Sequence, residues 1–99
     1  MAERKIIWSS RAKIDLFEIL DYYYKRNGTK TYSRKLNSVI RKSIKLLKKY
    51  PFIGFRTDIQ FVRTLITGHF CIFYEVSNEA IEIITIWDSR QNPENLILE

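Results

Sequence analysis

The chain has 99 residues, 45% of them hydrophobic and 14% aromatic, which is enough for one small globular core and excludes a disordered polyelectrolyte. One cysteine, Cys71, excludes an internal disulfide, and no apolar run approaches the roughly 20 residues that cross a bilayer, so a cytoplasmic protein with no membrane partner is expected. The net charge of +6 is unevenly spread: residues 1–50 carry 14 Lys/Arg against 4 Asp/Glu and residues 51–99 carry 3 against 7, so the first half suits a polyanion or an acidic protein segment.

Residues 5–8, Lys-Ile-Ile-Trp, are short and β-prone and predict a first strand. Ser9 or Ser10 then caps a helix, because a serine hydroxyl satisfies an orphan amide at a helix start. Ala12, Leu16, Ile19, Leu20 and Tyr23 recur at helical spacing, and Asn27-Gly28 ends the run where glycine accepts a left-handed backbone. A second helix begins near residues 29–31 and places Tyr32, Leu36, Val39, Ile40, Ser43, Leu47 and Tyr50 on one side. Arg34, Arg41, Lys45 and Lys48 line another side, with Lys35, Lys42 and Lys49 beside them. Pro51 stops this helix, and the short link between the two runs makes them an antiparallel hairpin.

Residues 52–58, which include Arg56, read as a loop returning to a sheet. Three strands follow at 59–66, 69–76 and 80–87, joined by Thr67-Gly68 and by Ser77-Asn78-Glu79. Alternation puts Phe61, Arg63 and Leu65 on one face, sets Phe70, Ile72, Tyr74 and Val76 against Cys71, Phe73 and Glu75, and sets Ile81, Ile83 and Thr85 against Glu82, Ile84 and Ile86. Apolar residues on both faces predict helices over one side and a further cover, such as a partner, over the other. The expected architecture is a single α+β domain over residues 1–99: a helical hairpin packed on a small, twisted, mostly antiparallel sheet in the order β-αα-βββ, with the first strand free to join either edge. Arg63 and Arg90 are expected to reach one common groove.

These residues carry a family resemblance. Ile7-Trp8-Ser9 with Ala12, the Leu-Lys-Lys-Tyr-Pro51 helix stop, the Gly54 loop, Val62-Arg63-x-Leu65, Phe70-x-Ile72-x-Tyr74 and Ile86-x-x-x-Arg90-x-x-Pro93 together resemble the RelE/ParE toxin superfamily over almost the whole chain. The resemblance implies the toxin of a type II toxin–antitoxin module, neutralised by a cognate antitoxin whose acidic segment folds on it. It also implies one of two targets. ParE-like members inhibit DNA gyrase; RelE-like members cleave mRNA on the ribosome without a metal or cofactor.

Metal-free RNA cleavage needs a base for the 2′-hydroxyl, cations for the phosphorane and an acid for the leaving oxygen. In a nuclease Arg63, Arg90 and Asp88 would form that set, with Glu75 as another base and His69 as a substitute acid. The complement is thin. No His or Tyr follows Arg90, Asp88 stands where many relatives carry histidine, and Cys71 or Phe70 replaces a basic strand residue. Either arginine can instead brace neighbouring strands through Glu75, Glu82 or Asp88. Cys71 has no evident base beside it and reads as a small core residue. The ParE-like reading is therefore preferred, the mRNA endoribonuclease is the alternative, and a non-toxic nucleic-acid-binding module is a third. Partner or polyanion contacts are assigned to Arg34, Arg41, Lys45, Lys48 and Arg56, with Trp87 able to stack on a base.

Overall fold

The computed structural model describes residues 4–90; Pro93, the last residue of the family-like ending, lies outside them. Strand β1 (Lys5–Trp8) leads into helix α1 (Ser10–Asn27), helix α2 (Thr31–Leu46), and strands β2 (Phe55–Arg56), β3 (Val62–Thr67), β4 (Phe70–Val76) and β5 (Ala80–Asp88). The sheet order is β1-β5-β4-β3-β2. The open question of the first strand is settled by β1 pairing in parallel with β5; the other pairs are antiparallel.

Local chemistry explains the helix ends. Ser9 is the N-cap: its Oγ accepts from Ala12 N at 3.0 Å and donates to Ile84 O at 2.7 Å, tying the helix start to β5. Gly28 caps the other end at φ 73°, with its amide on Tyr24 O. The link to α2 is three residues, 28–30, and Ser33 Oγ donates to Leu20 O at 2.7 Å to lock the hairpin. Regular α-helix stops at Leu46 and not at Tyr50. The amides of Leu47, Lys48 and Lys49 each bond three residues back, so the last turn tightens before Pro51.

One face of the sheet carries the hairpin. Ile72, Tyr74, Ile81, Ile83 and Ile86 meet Ala12, Leu16 and Tyr23 of α1 and Leu36, Ile40 and Ile44 of α2 in a single core. Ile86 was expected on the opposite face from Ile81 and Ile83. A register shift opposite Phe73/Tyr74 makes Ile84 an extra residue, and the bulge reverses the side-chain phase beyond it. Cys71, the half-exposed Ile7 and Ile66 and the polar Glu75 and Glu82 lie on the face that no helix covers.

Two further expectations shift. The 52–58 loop contains β2, which the sequence hides because two residues cannot show alternation. The next strand starts at Val62 and not at Ile59. Thr57 N and Oγ1 both donate to Val62 O (3.2 and 2.9 Å), closing 57–62 into a turn in which Phe61 takes φ 69°. A bulky side chain seldom adopts that left-handed backbone.

Candidate functional site

Arg63 and Arg90 do not share a groove. Arg63 lies opposite Tyr74, which pairs with Ile83, whereas Arg90 follows the end of β5, seven residues beyond Ile83. At about 3.3 Å per strand residue the end of β5 lies roughly 15 Å beyond the level of Arg63, and Arg90 sits in the turn past that end.

At its end Arg63 is a clamp. Its Nη1 donates to Gly54 O at 2.9 Å and to Phe52 O at 3.2 Å, and the guanidinium lies 5.2 Å from the centre of the Phe52 ring. The amide of the same Gly54 donates to the buried Tyr74 hydroxyl at 2.9 Å. A Cβ on Gly54 would sit 2.6 Å from Thr64 O and 2.7 Å from the Tyr74 hydroxyl, so only glycine fits. Burial pushes the Tyr74 phenol up, against the lowering pull of the Gly54 hydrogen bond and the Arg63 charge. Beside this knot is an apolar rim of exposed Phe52, Ile59 and Phe61 over a cavity of about 380 Å³, with Arg56 on its wall.

At the other end α1 and the tail of β5 form a groove of about 620 Å³ lined by Arg11, Glu18, Tyr22, Tyr23, Trp87 and Arg90. Asp88 Oδ1 accepts from Arg90 N at 2.9 Å and Nε at 3.0 Å, and Oδ2 accepts from Nη2 at 2.8 Å. Arg90 Nη2 also donates to the Tyr23 hydroxyl, and its guanidinium lies over that ring at 5.7 Å. Asp88 is thus occupied as a counter-ion. His69 is brought to this same end, since its carbonyl accepts from Ser89 N at 2.7 Å, and its side chain is exposed.

The buried Asp15 is the residue that sequence reasoning missed here. Its Oδ2 accepts from Thr85 Oγ1 and from Ile86 N at 3.2 Å, and Oδ1 pairs with Arg11 Nε at 3.2 Å. The carboxylate serves the strand where the bulge disturbs the ladder, just before Trp87 and Asp88. A signal existed: Asp15 sits between Ala12 and Ile19 on the apolar stripe, where an acid has to find buried donors.

Cys71 is half-buried opposite Trp87, and burial, aided by the Asp88 charge, pushes its thiol up from 9.0; such a thiol is a poor nucleophile. Glu75 lies opposite Glu82 on β5 and Val62 on β3, one position from Arg63, and none of the ion pairs among the described residues includes it. No group of three His, Cys, Asp or Glu among the described residues is placed to hold a metal ion, and no described helix is long and apolar enough to cross a membrane.

The hairpin's outer surface has two parts. A groove of about 350 Å³ between the helices is lined by Phe17, Leu20, Tyr24, Lys30 and Arg34, with Phe17 69% exposed and Lys30 Nζ 5.4 Å from the Tyr24 ring centre. Beside it runs the basic side of α2. Arg34, Arg41 and Lys45 are exposed and Lys48 is half-exposed. Arg41 Nε donates to Asn37 Oδ1 at 2.9 Å, and its guanidinium lies 5.3 Å from the Trp8 ring centre.

Over residues 6–93 the sequence matches a family described as the ParE toxin of the type II toxin–antitoxin system parDE. Among solved structures, the fold is similar to a chain of the chromosomal ParDE TA system from P. aeruginosa: TM-score 0.76, 25% identity, 85% of this chain and 94% of that one covered. It is also similar in fold to a chain of the RelBE2 toxin–antitoxin complex from Mycobacterium tuberculosis: TM-score 0.62, 14% identity, 86% and 96% covered. No curated protein matches the sequence.

Proposed function

The chain belongs to the ParE toxin family of type II toxin–antitoxin systems, and from that membership we propose that it inhibits DNA gyrase in the cytoplasm by occupying a surface of the enzyme, without chemistry of its own. The observation that carries this reading is the commitment of Arg63 and Arg90. Arg63 is spent on the carbonyls of Phe52 and Gly54, Arg90 on Asp88 and Tyr23, and they stand at opposite ends of the sheet. Cleavage of one phosphodiester needs base, acid and cations around a single phosphorus. The mixed-charge, aromatic-walled α1/β5 groove, with Trp87 and Arg90 at its mouth, has instead the make-up of a protein contact, where aromatic and arginine anchors dominate. Purified protein in excess is expected to block supercoiling by gyrase and to accumulate cleaved DNA. Unchanged supercoiling ends this reading.

The partner that restrains it is a cognate antitoxin with an acidic, amphipathic segment. Such a segment folds on the inter-helix groove, where Phe17 and Tyr24 offer apolar anchors and Lys30 and Arg34 supply counter-charge. A second reading is favoured by one observation, the arrival of His69 beside Arg90. A ribosome-dependent mRNA endoribonuclease built on His69, Asp88 and Arg90 would cut transcripts in a translating extract and lose that activity on His69→Gln. Intact mRNA in such an extract removes it.

A further inference from the structure

Between Asp21 and Asp58 the chain carries eleven Lys or Arg residues and no acid, and the whole of α2 lies inside that stretch. None of the ion pairs among the described residues involves an α2 side chain; those pairs are Arg11–Asp15, Lys25–Asp21 and Arg90–Asp88. Helical geometry then arranges the charge. At 100° and 1.5 Å per residue, Arg34, Arg41 and Lys45 fall within about 40° of arc and extend over about 17 Å of the axis, and Lys48 follows in the tightened turn beyond Leu46. Lys35 and Lys42 form a parallel row on one flank, with Lys49 following in the same turn. Ser33, Leu36, Ile40 and Ile44, which face the core, lie on the opposite side of the helix. The arc between the two basic rows contains no apolar side chain; its other members are the hydroxyls of Thr31 and Ser38.

That composition selects among anions. An acidic segment that folds on binding needs apolar anchors, and the exposed ones on the hairpin, Phe17 and Tyr24 on α1 and Tyr32, Val39 and Leu46 on α2, all lie outside the arc between the basic rows. A single strand needs exposed aromatic platforms for its bases, and the arc has none. A straight double row of cations and hydroxyls on a rigid helix matches a regular, stiff phosphate backbone, which is read by charge and not by base edges. We propose that the basic face of α2 binds the phosphate backbone of duplex DNA, so that the toxin grips the DNA held by its target as well as the target itself. The choice of DNA as the duplex rests on the gyrase reading above.

Fluorescence anisotropy of a labelled 20-base-pair DNA with the full-length protein tests this between 50 and 200 mM salt. Four phosphate contacts lower affinity about a hundredfold across that range, because log K falls by roughly 0.9 per contact and per unit of log salt. Arg34→Ala/Lys45→Ala, two exposed positions whose removal leaves the core intact, is expected to reduce that drop to about tenfold. Lys13→Ala, on the exposed side of α1, is expected to leave it unchanged, and circular dichroism confirms that all three fold. The proposal is overturned by an absence of binding at 50 mM salt or by a salt slope that the double variant does not alter. Tighter binding of single-stranded DNA, duplex RNA or polyglutamate overturns it as well. Supercoiling assays on the same proteins separate the two ideas. Inhibition without DNA binding sinks this proposal alone, and DNA binding without inhibition sinks the gyrase reading alone.

Discussion

Tyr74→Phe removes one oxygen from the centre of the Gly54 knot, and its cost follows from what is left behind. The Tyr74 ring is fully buried, and its hydroxyl is the acceptor for Gly54 N at 2.9 Å. Phenylalanine fills the same space but leaves that buried amide without a partner, a penalty of about 1–3 kcal/mol. In a domain of this size each kcal/mol lowers Tm by about 4–8 °C, so a fall of roughly 4–24 °C is expected in a thermal melt followed by circular dichroism. The Gly54 peptide is held from both sides, by Tyr74 at its amide and Arg63 at its carbonyl. The double variant Tyr74→Phe/Arg63→Ala should therefore depart from additivity by at least about 0.5 kcal/mol. Alkali supplies an independent readout. The folded phenol titrates above its ordinary 10.0, so the stability it contributes is full below that pH and is lost as pH rises towards the raised folded value. The gap in stability between wild type and Tyr74→Phe should narrow above pH 10. A Tm within 2 °C of wild type, together with additive single effects, would falsify the knot as a stabilising unit.

Gly54→Ala should be worse than Tyr74→Phe, because its Cβ meets backbone at 2.6 Å and the strand has to move; loss of soluble protein or a larger Tm fall checks it. Asp15→Ala strands the donors of Thr85, Ile86 and Arg11 and should cost about 2–4 kcal/mol in urea unfolding, with Asp15→Asn milder because one acceptor survives. Arg90→Ala breaks a partly exposed pair and should cost under about 1 kcal/mol, so a loss of gyrase inhibition in that variant, with Tm nearly unchanged, reports a lost contact and not a lost fold. Cys71 should react more slowly than a free thiol with a disulfide reagent at neutral pH, because burial raises its thiol and leaves less thiolate, and wild-type labelling kinetics are enough to show it.

The parts legible in the order of residues are those whose signal is local and repeated. The apolar stripe from Ala12 to Tyr23, the Ser9 cap, the Gly28 stop and the alternation of Phe70-x-Ile72-x-Tyr74 each write a periodicity or a cap into neighbouring residues. They were sufficient to specify two helices against an antiparallel sheet. What failed to show were features that depend on a register. The bulge at Ile84 turns Ile86 to the core through a mismatch with β4, and β2 exists only because β3 lies beside it. The resemblance to a toxin family came from scattered residues, yet only the folded chain reveals that Gly54, Arg63 and Tyr74 are one hydrogen-bonded cluster. Tertiary structure alone likewise decided that Arg63 and Arg90 stand at opposite ends of the sheet and that Asp15 belongs with Thr85. A side chain's periodicity gives its face, but its position along the sheet and its partner are set by strand pairings that bring together residues up to 75 positions apart.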